Sequence, residues 1–154
     1  MFLPKRKTAR LSGYDYSTPN YYFITICTYQ KICIFGKPGQ LNSFGKIAEN
    51  NLLKIPRLNP KIELDKYVIM PNHIHAIFVV RDEKTEKGLE NLSVIVGQYK
   101  ASVTKEIRRL ESNKEVWQRS FHDHIIRSQK SYEKIWTYID NNPLKWEEDC
   151  FYCK

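Results

Sequence analysis

The stretch Tyr67-Val-Ile-Met-Pro-Asn-His-Ile-His-Ala-Ile-Phe-Val-Val80 does most to restrict how this chain can fold. After the Pro71-Asn72 turn its residues alternate with the period of two that defines a strand. Ile74, Ala76, Phe78 and Val80 then share one face, and His73 and His75 share the other. The apolar face needs a core packed against it. Residues 61–70 read as a strand that precedes the turn, so the two segments form an antiparallel pair. The two imidazoles on the opposite face are spaced to hold one metal ion between them.

The remaining elements follow from pattern and punctuation. Tyr21 to Tyr29 is rich in aromatic and β-branched residues and reads as a strand. Ser43 to Ile55 carries Phe44, Ile47, Ala48, Leu52 and Ile55 at near-helical spacing, with Pro56 expected to end the helix. Leu92, Ile95, Val96, Tyr99, Val103 and Ile107 form the apolar stripe of a helix over 91–110. Residues 116–127 read as a fourth strand. A helix is expected from Tyr132 to Asn141, capped by Ser131 and closed by Pro143. The order strand, helix, strand, strand, helix, strand, helix predicts an α+β fold. The expected form is a ferredoxin-like sandwich: an antiparallel four-stranded sheet with helices on one face, plus a C-terminal helix. Residues 1–20 read as a basic N-terminal arm and 21–154 as the catalytic domain.

Charge narrows the partner. Lys and Arg number 25 against 17 Asp and Glu, a net +8. An anionic partner is expected, nucleic acid first. Lys5, Arg6, Lys7 and Arg10 on the arm, with Lys100 and Arg127, are the candidate DNA contacts. No apolar run approaches the roughly 20 residues that span a bilayer, so no membrane partner is expected. With no apolar leader the expected location is cytoplasmic, associated with the nucleoid. Cys27, Cys33, Cys150 and Cys153 are expected to be unlinked thiols; zinc at Cys150 and Cys153 is the minority reading.

A metal pair needs something to attack with it. Among ten tyrosines, Tyr138 is the best candidate. It lies four residues before Asn142 and so on the same helical face. An asparagine carboxamide there can serve as the third protein ligand of the ion held by His73 and His75. Metal, phosphate and phenol would then converge. A free phenol has a pKa of about 10, so about one in a thousand is ionised at neutral pH. A divalent cation that polarises the phosphate makes such a weak nucleophile sufficient. Two imidazoles and an amide oxygen suit Mg²⁺ or Mn²⁺.

At these residues the chain resembles the single-tyrosine HUH transposases of the insertion-sequence-200-like type, within them the REP-associated tyrosine transposases. The resemblance covers nearly the whole chain. It runs through Gly13-Tyr-Asp-Tyr-Ser17, Tyr22-Phe-Ile-Thr-Ile-Cys-Thr28, Met70-Pro-Asn-His-Ile-His75, Tyr99-Lys-Ala-Ser-Val-Thr104, Val116-Trp-Gln-Arg119, His124-Ile-Ile-Arg127 and Tyr138-Ile-Asp-Asn-Asn-Pro143. It implies that His73, His75 and Asn142 hold the divalent metal and that Tyr138 is the nucleophile. Tyr138 would cut one strand of single-stranded or hairpin DNA, leaving a 5′-phosphotyrosine and a free 3′-hydroxyl, and a second 3′-hydroxyl would rejoin the ends. Both a monomer and a homodimer with exchanged tyrosines remain open.

His122-Asp-His124 is a poorer metal pair because Asp123 would face a core; His124 is read as a residue that supports the metal ligands from behind or faces DNA. Tyr99 lies in an apolar stripe and reads as packing. Tyr14, Tyr16, Trp117 and Trp146 can stack on bases or pack. Two other functions compete. A domesticated, catalytically inert DNA-binding protein would bind without cutting. A water-using metal nuclease would leave no covalent adduct and tolerate Tyr138→Phe.

Overall fold

The computed structural model describes residues 20–81, 91–149 and 151–152. The basic arm with Lys5, Arg6, Lys7 and Arg10, along with Tyr14, Tyr16, Cys150 and Cys153, lies outside them. Among the described residues, six strands and three α-helices follow in order: β1 Asn20–Cys27, β2 Gly36–Lys37, β3 Gln40–Leu41, α1 Ser43–Leu58, β4 Ile62–Met70, β5 His73–Val80, α2 Leu92–Leu110, β6 His122–Ile126 and α3 Gln129–Asn141. The four long strands form one antiparallel sheet in the order β4-β5-β1-β6, and β2 and β3 make a separate small hairpin.

The alternation along β5 divides the molecule. Ile74, Ala76, Phe78 and Val80 join the main core, where α1 and α2 cover the sheet with Leu52, Ile55, Ile95, Val103 and Ile107. Ile77, on the same face as His73 and His75, packs with Ile126 and Ile139 in a smaller cluster beneath α3. The sheet thus has α1 and α2 on one face and α3 on the other. Phe78 is buried to 1% exposure in the larger core. Phe78→Ala is expected to lower unfolding free energy by about 3–5 kcal/mol in urea titrations, through lost transfer energy and a residual cavity.

Several boundaries differ from expectation. Pro56 does not end α1, which continues to Leu58. It sits in the last turn, where its missing N–H removes one bond, and Asn59 N still donates to Ile55 O at 2.9 Å. Ser128, not Ser131, caps α3, its hydroxyl accepting from Ser131 N. The fourth long strand is confined to 122–126, and Trp117 upstream makes only an isolated bridge with Thr28. Asn142 keeps helical angles (φ −57, ψ −43) although Pro143 follows, so the helical path extends through it. The expectation of four unlinked thiols also fails: Cys33 is disulfide-bonded, while Cys27 is buried and outside any disulfide.

A β-bulge in β4 ties α3 to the sheet. The register slips between Leu64 and Lys66, leaving Asp65 as the extra residue. Asp65 accepts from Tyr132 Oη at 2.5 Å, and Lys66 Nζ pairs with Asp140 at 2.8 Å. Two adjacent β4 residues therefore hold both ends of α3. The Asp65 carboxylate pushes the Tyr132 phenol up to about 12.

Candidate functional site

On the α3 side of the sheet, His73 and His75 are 0% and 2% exposed, with ring centroids 4.6 Å apart. Their orientation is built by neighbours. Asn72 Nδ2 donates to Lys31 O and Phe151 O, so Asn72 Oδ1 is the atom left to face His73 Nδ1, at 2.8 Å. An amide oxygen only accepts, so His73 carries its proton on Nδ1 and leaves the Nε2 lone pair free. Thr25 Oγ1, opposite His75 in register, meets His75 Nδ1 at 2.8 Å. With the hydroxyl accepting, His75 also presents a bare Nε2. Metal-ligating histidines are commonly oriented through their other ring nitrogen in this way.

Helix α3 brings Tyr138 and Asn142 over the same spot. Tyr138 Oη lies 3.4 Å from His75 Nε2, and its ring meets those of His75 and Phe23 edge-on. The tyrosine is 43% exposed, so a cleft of about 330 Å³ opens onto it, with Lys134 and Lys145 beside it. His73 Nε2 and Asn142 Oδ1 are buried with no hydrogen-bond partner. Two orphaned buried lone pairs are energetically unfavourable unless a cation or donor meets them. That donor set, two imidazole nitrogens and an amide oxygen, fits a divalent ion.

Burial pushes His73 down to about 4; Asp149 and Asn142 offset part of this, and Lys31 adds to it. Burial, with His73 alongside, pushes His75 down to about 3. Both rings are therefore neutral at pH 7, as ligands must be. Because the folded values lie below about 6.5, the unfolded chain takes up protons first as pH falls. The stability this gives the native state is complete above about 6.5 and is lost as pH drops through the folded values. The metal-free protein should lose several kcal/mol between neutral pH and about pH 4, at up to about 1.4 kcal/mol per unit for each of the two histidines. Denaturant titrations of a His73→Gln/His75→Gln protein should show a flatter profile over that range.

The other expected site residues are dispersed. Lys100 Nζ donates to Gln118 O and Ser120 O, each at 2.8 Å, and so holds the segment before β6. Arg127 is exposed beside a separate cleft with Tyr21 and Tyr132. His124 is exposed, opposite Phe23 in register, and so shares the face of the His73–His75 pair with β1 between them. Tyr99 is buried, its hydroxyl donating to Ala48 O, and Trp117 packs between Phe35 and Tyr99. Sequence reasoning missed Thr25, Asn72, Asp149 and Phe151. Phe151 lies over His73 with ring centroids 4.5 Å apart and closes the pocket on that side. Asn72, inside the Met70-Pro-Asn-His motif, was the one with a usable signal.

Among the described residues, no helix is long and apolar enough to cross a membrane. No protein-family model matches the chain. An uncharacterized protein of Haemophilus influenzae is 36% identical over 96% of this chain and 93% of its own length. A REP-associated tyrosine transposase of Escherichia coli is 29% identical over 65% of this chain, and the match spans about half, 54%, of that protein. A solved structure of a REP-associated tyrosine transposase bound to a REP hairpin superimposes with a TM-score of 0.58 at 21% identity, over 88% of this chain and 72% of the other.

Proposed function

We propose that the chain belongs to the REP-associated tyrosine transposases, a reading that its likeness to proteins of that name supports, and that it cuts and rejoins single-stranded, hairpin-flanked DNA through Tyr138. The observation that carries this reading is the convergence of an accessible phenol with the two unpartnered buried lone pairs of His73 Nε2 and Asn142 Oδ1. The strand order β4-β5-β1-β6, with α1 and α2 on one face, supports the ferredoxin-like description.

His73, His75 and Asn142 would hold a Mg²⁺ or Mn²⁺ ion. Bound there, the ion supplies Lewis-acid polarisation of a phosphate and neutralises charge developing on it. The chain's own groups do the rest. Tyr138 Oη attacks phosphorus; the Oη–P bond forms as the P–O3′ bond breaks. The phenol gives up one proton and the departing 3′-oxygen takes up one, so cleavage is proton-neutral. The 5′-phosphotyrosine conserves the phosphoester, and a 3′-hydroxyl attacking it reverses the chemistry without ATP. Phe23 and His75 pack the Tyr138 ring and limit its rotation, which favours in-line attack. Lys134 and Lys145 beside the cleft are placed to contact strand phosphates.

The hairpin partner of the solved relative makes hairpin DNA the substrate to try. Labelled hairpin oligonucleotides from the DNA flanking the gene, incubated with protein and Mn²⁺, should give a band on a denaturing protein gel that disappears with chelator. Cleavage with no such band would point to a water-using nuclease. Binding of a verified target without cleavage would point to an inert DNA-binding protein.

A further inference from the structure

Asp149 belongs to the acidic run Glu147-Glu148-Asp149, yet its side chain is only 1% exposed. Two donors hold it: Phe151 N reaches Oδ1 at 2.8 Å, and Asn142 Nδ2 reaches Oδ2 at 2.9 Å. Oδ2 also lies 3.9 Å from His73 Nε2. An ionised carboxylate only accepts hydrogen bonds. If the Asn142 amide turned over, two oxygens would face each other in a buried pocket, which is strongly unfavourable. The carboxylate therefore selects one of two amide orientations that are otherwise nearly equal in shape. In the selected orientation Nδ2 is occupied and Oδ1 is left buried and unpartnered.

We propose that Asp149 is a positioning residue that locks the Asn142 carboxamide with Oδ1 free to ligate the divalent ion beside His73 and His75. The inference rests on the metal reading of the site given above. Outer-shell partners of this kind typically change metal affinity by about 10–100-fold. The backbone around Asp149 supports the role: Asn72 Nδ2 donates to Phe151 O at 2.6 Å. One asparagine thus orients His73 and also anchors the segment that orients Asn142.

The test combines a metal-free and a metal-binding readout. In the DNA-free, metal-free protein, the two Asn142 side-chain amide protons should be well separated by NMR, with one protected from exchange. Asp149→Asn keeps the volume but can meet the amide either way round, so that protection should be lost. By calorimetry, Asp149→Asn should weaken Mn²⁺ binding about 10-fold or more. The exchange variant Asn142→Asp/Asp149→Asn, in which the new amide donates to the new carboxylate, should recover to within about threefold of wild type, because a carboxylate needs no selected orientation. Thermal melts establish that each variant is folded. Unchanged Asn142 signals in Asp149→Asn, unchanged Mn²⁺ affinity, or no recovery in the exchange variant would each overturn the proposal. If wild type binds no Mn²⁺, the metal reading falls and the ligating half of the inference with it. The amide protons still decide whether Asp149 sets the orientation.

Discussion

Replacing Tyr138 with phenylalanine should abolish covalent attachment to DNA and slow strand cleavage by about 10³-fold or more, as expected when a nucleophile is removed from a site that works as a unit. The substitution deletes one hydroxyl. The ring that packs against Phe23 and His75 stays, and the residue is 43% exposed, so stability should change little. Hairpin binding should persist because the basic surface is untouched. Single-turnover cleavage assays with gel-shift controls separate these effects. Tyr99→Phe is the matched control: its hydroxyl is buried against Ala48 O, and cleavage should remain at the wild-type rate even if stability falls by about 1 kcal/mol.

His75→Ala should have the second-largest effect, a loss of about 10³-fold in cleavage, since losing Lewis-acid stabilisation of the phosphate removes several kcal/mol. Chelation of wild type should give the same residual rate, and chelation of the variant should cost nothing more. The alanine leaves Thr25 Oγ1 without its imidazole partner but also removes a ring that resists protonation. The variant should therefore lose less stability than wild type on acidification while losing activity at every pH. A His75→Ala protein that cuts at a normal rate and still responds to chelator would place the ion elsewhere.

Local periodicity made part of this site legible. The alternation of β5 separates His73 and His75 from Ile74, Ala76, Phe78 and Val80 because a strand's period is geometric. Likewise, a separation of four residues sets Tyr138 and Asn142 on one helical face, and the apolar positions of α2 match its buried residues. What escaped depends on contacts distant in sequence. Asp65 becomes a tether of α3 only through a bulge. Lys100 reads as a DNA contact, yet its ammonium meets two carbonyls about twenty residues away. Asp149 lies in an acidic run that carries no local signal of burial, yet its carboxylate is buried against Asn142. Pro56 reads as a stop, but one missing N–H in a final turn is tolerated when the next bond, Asn59 to Ile55, still forms.

Mass spectrometry of the protein–DNA adduct, after digestion with trypsin and nuclease, tests the central claim most directly. The account predicts a single modified peptide that contains Ile135-Trp-Thr-Tyr-Ile139 and carries a 5′-phosphonucleotide on Tyr138. A nucleotide on any other residue, or cleaved DNA with no modified peptide, would contradict it.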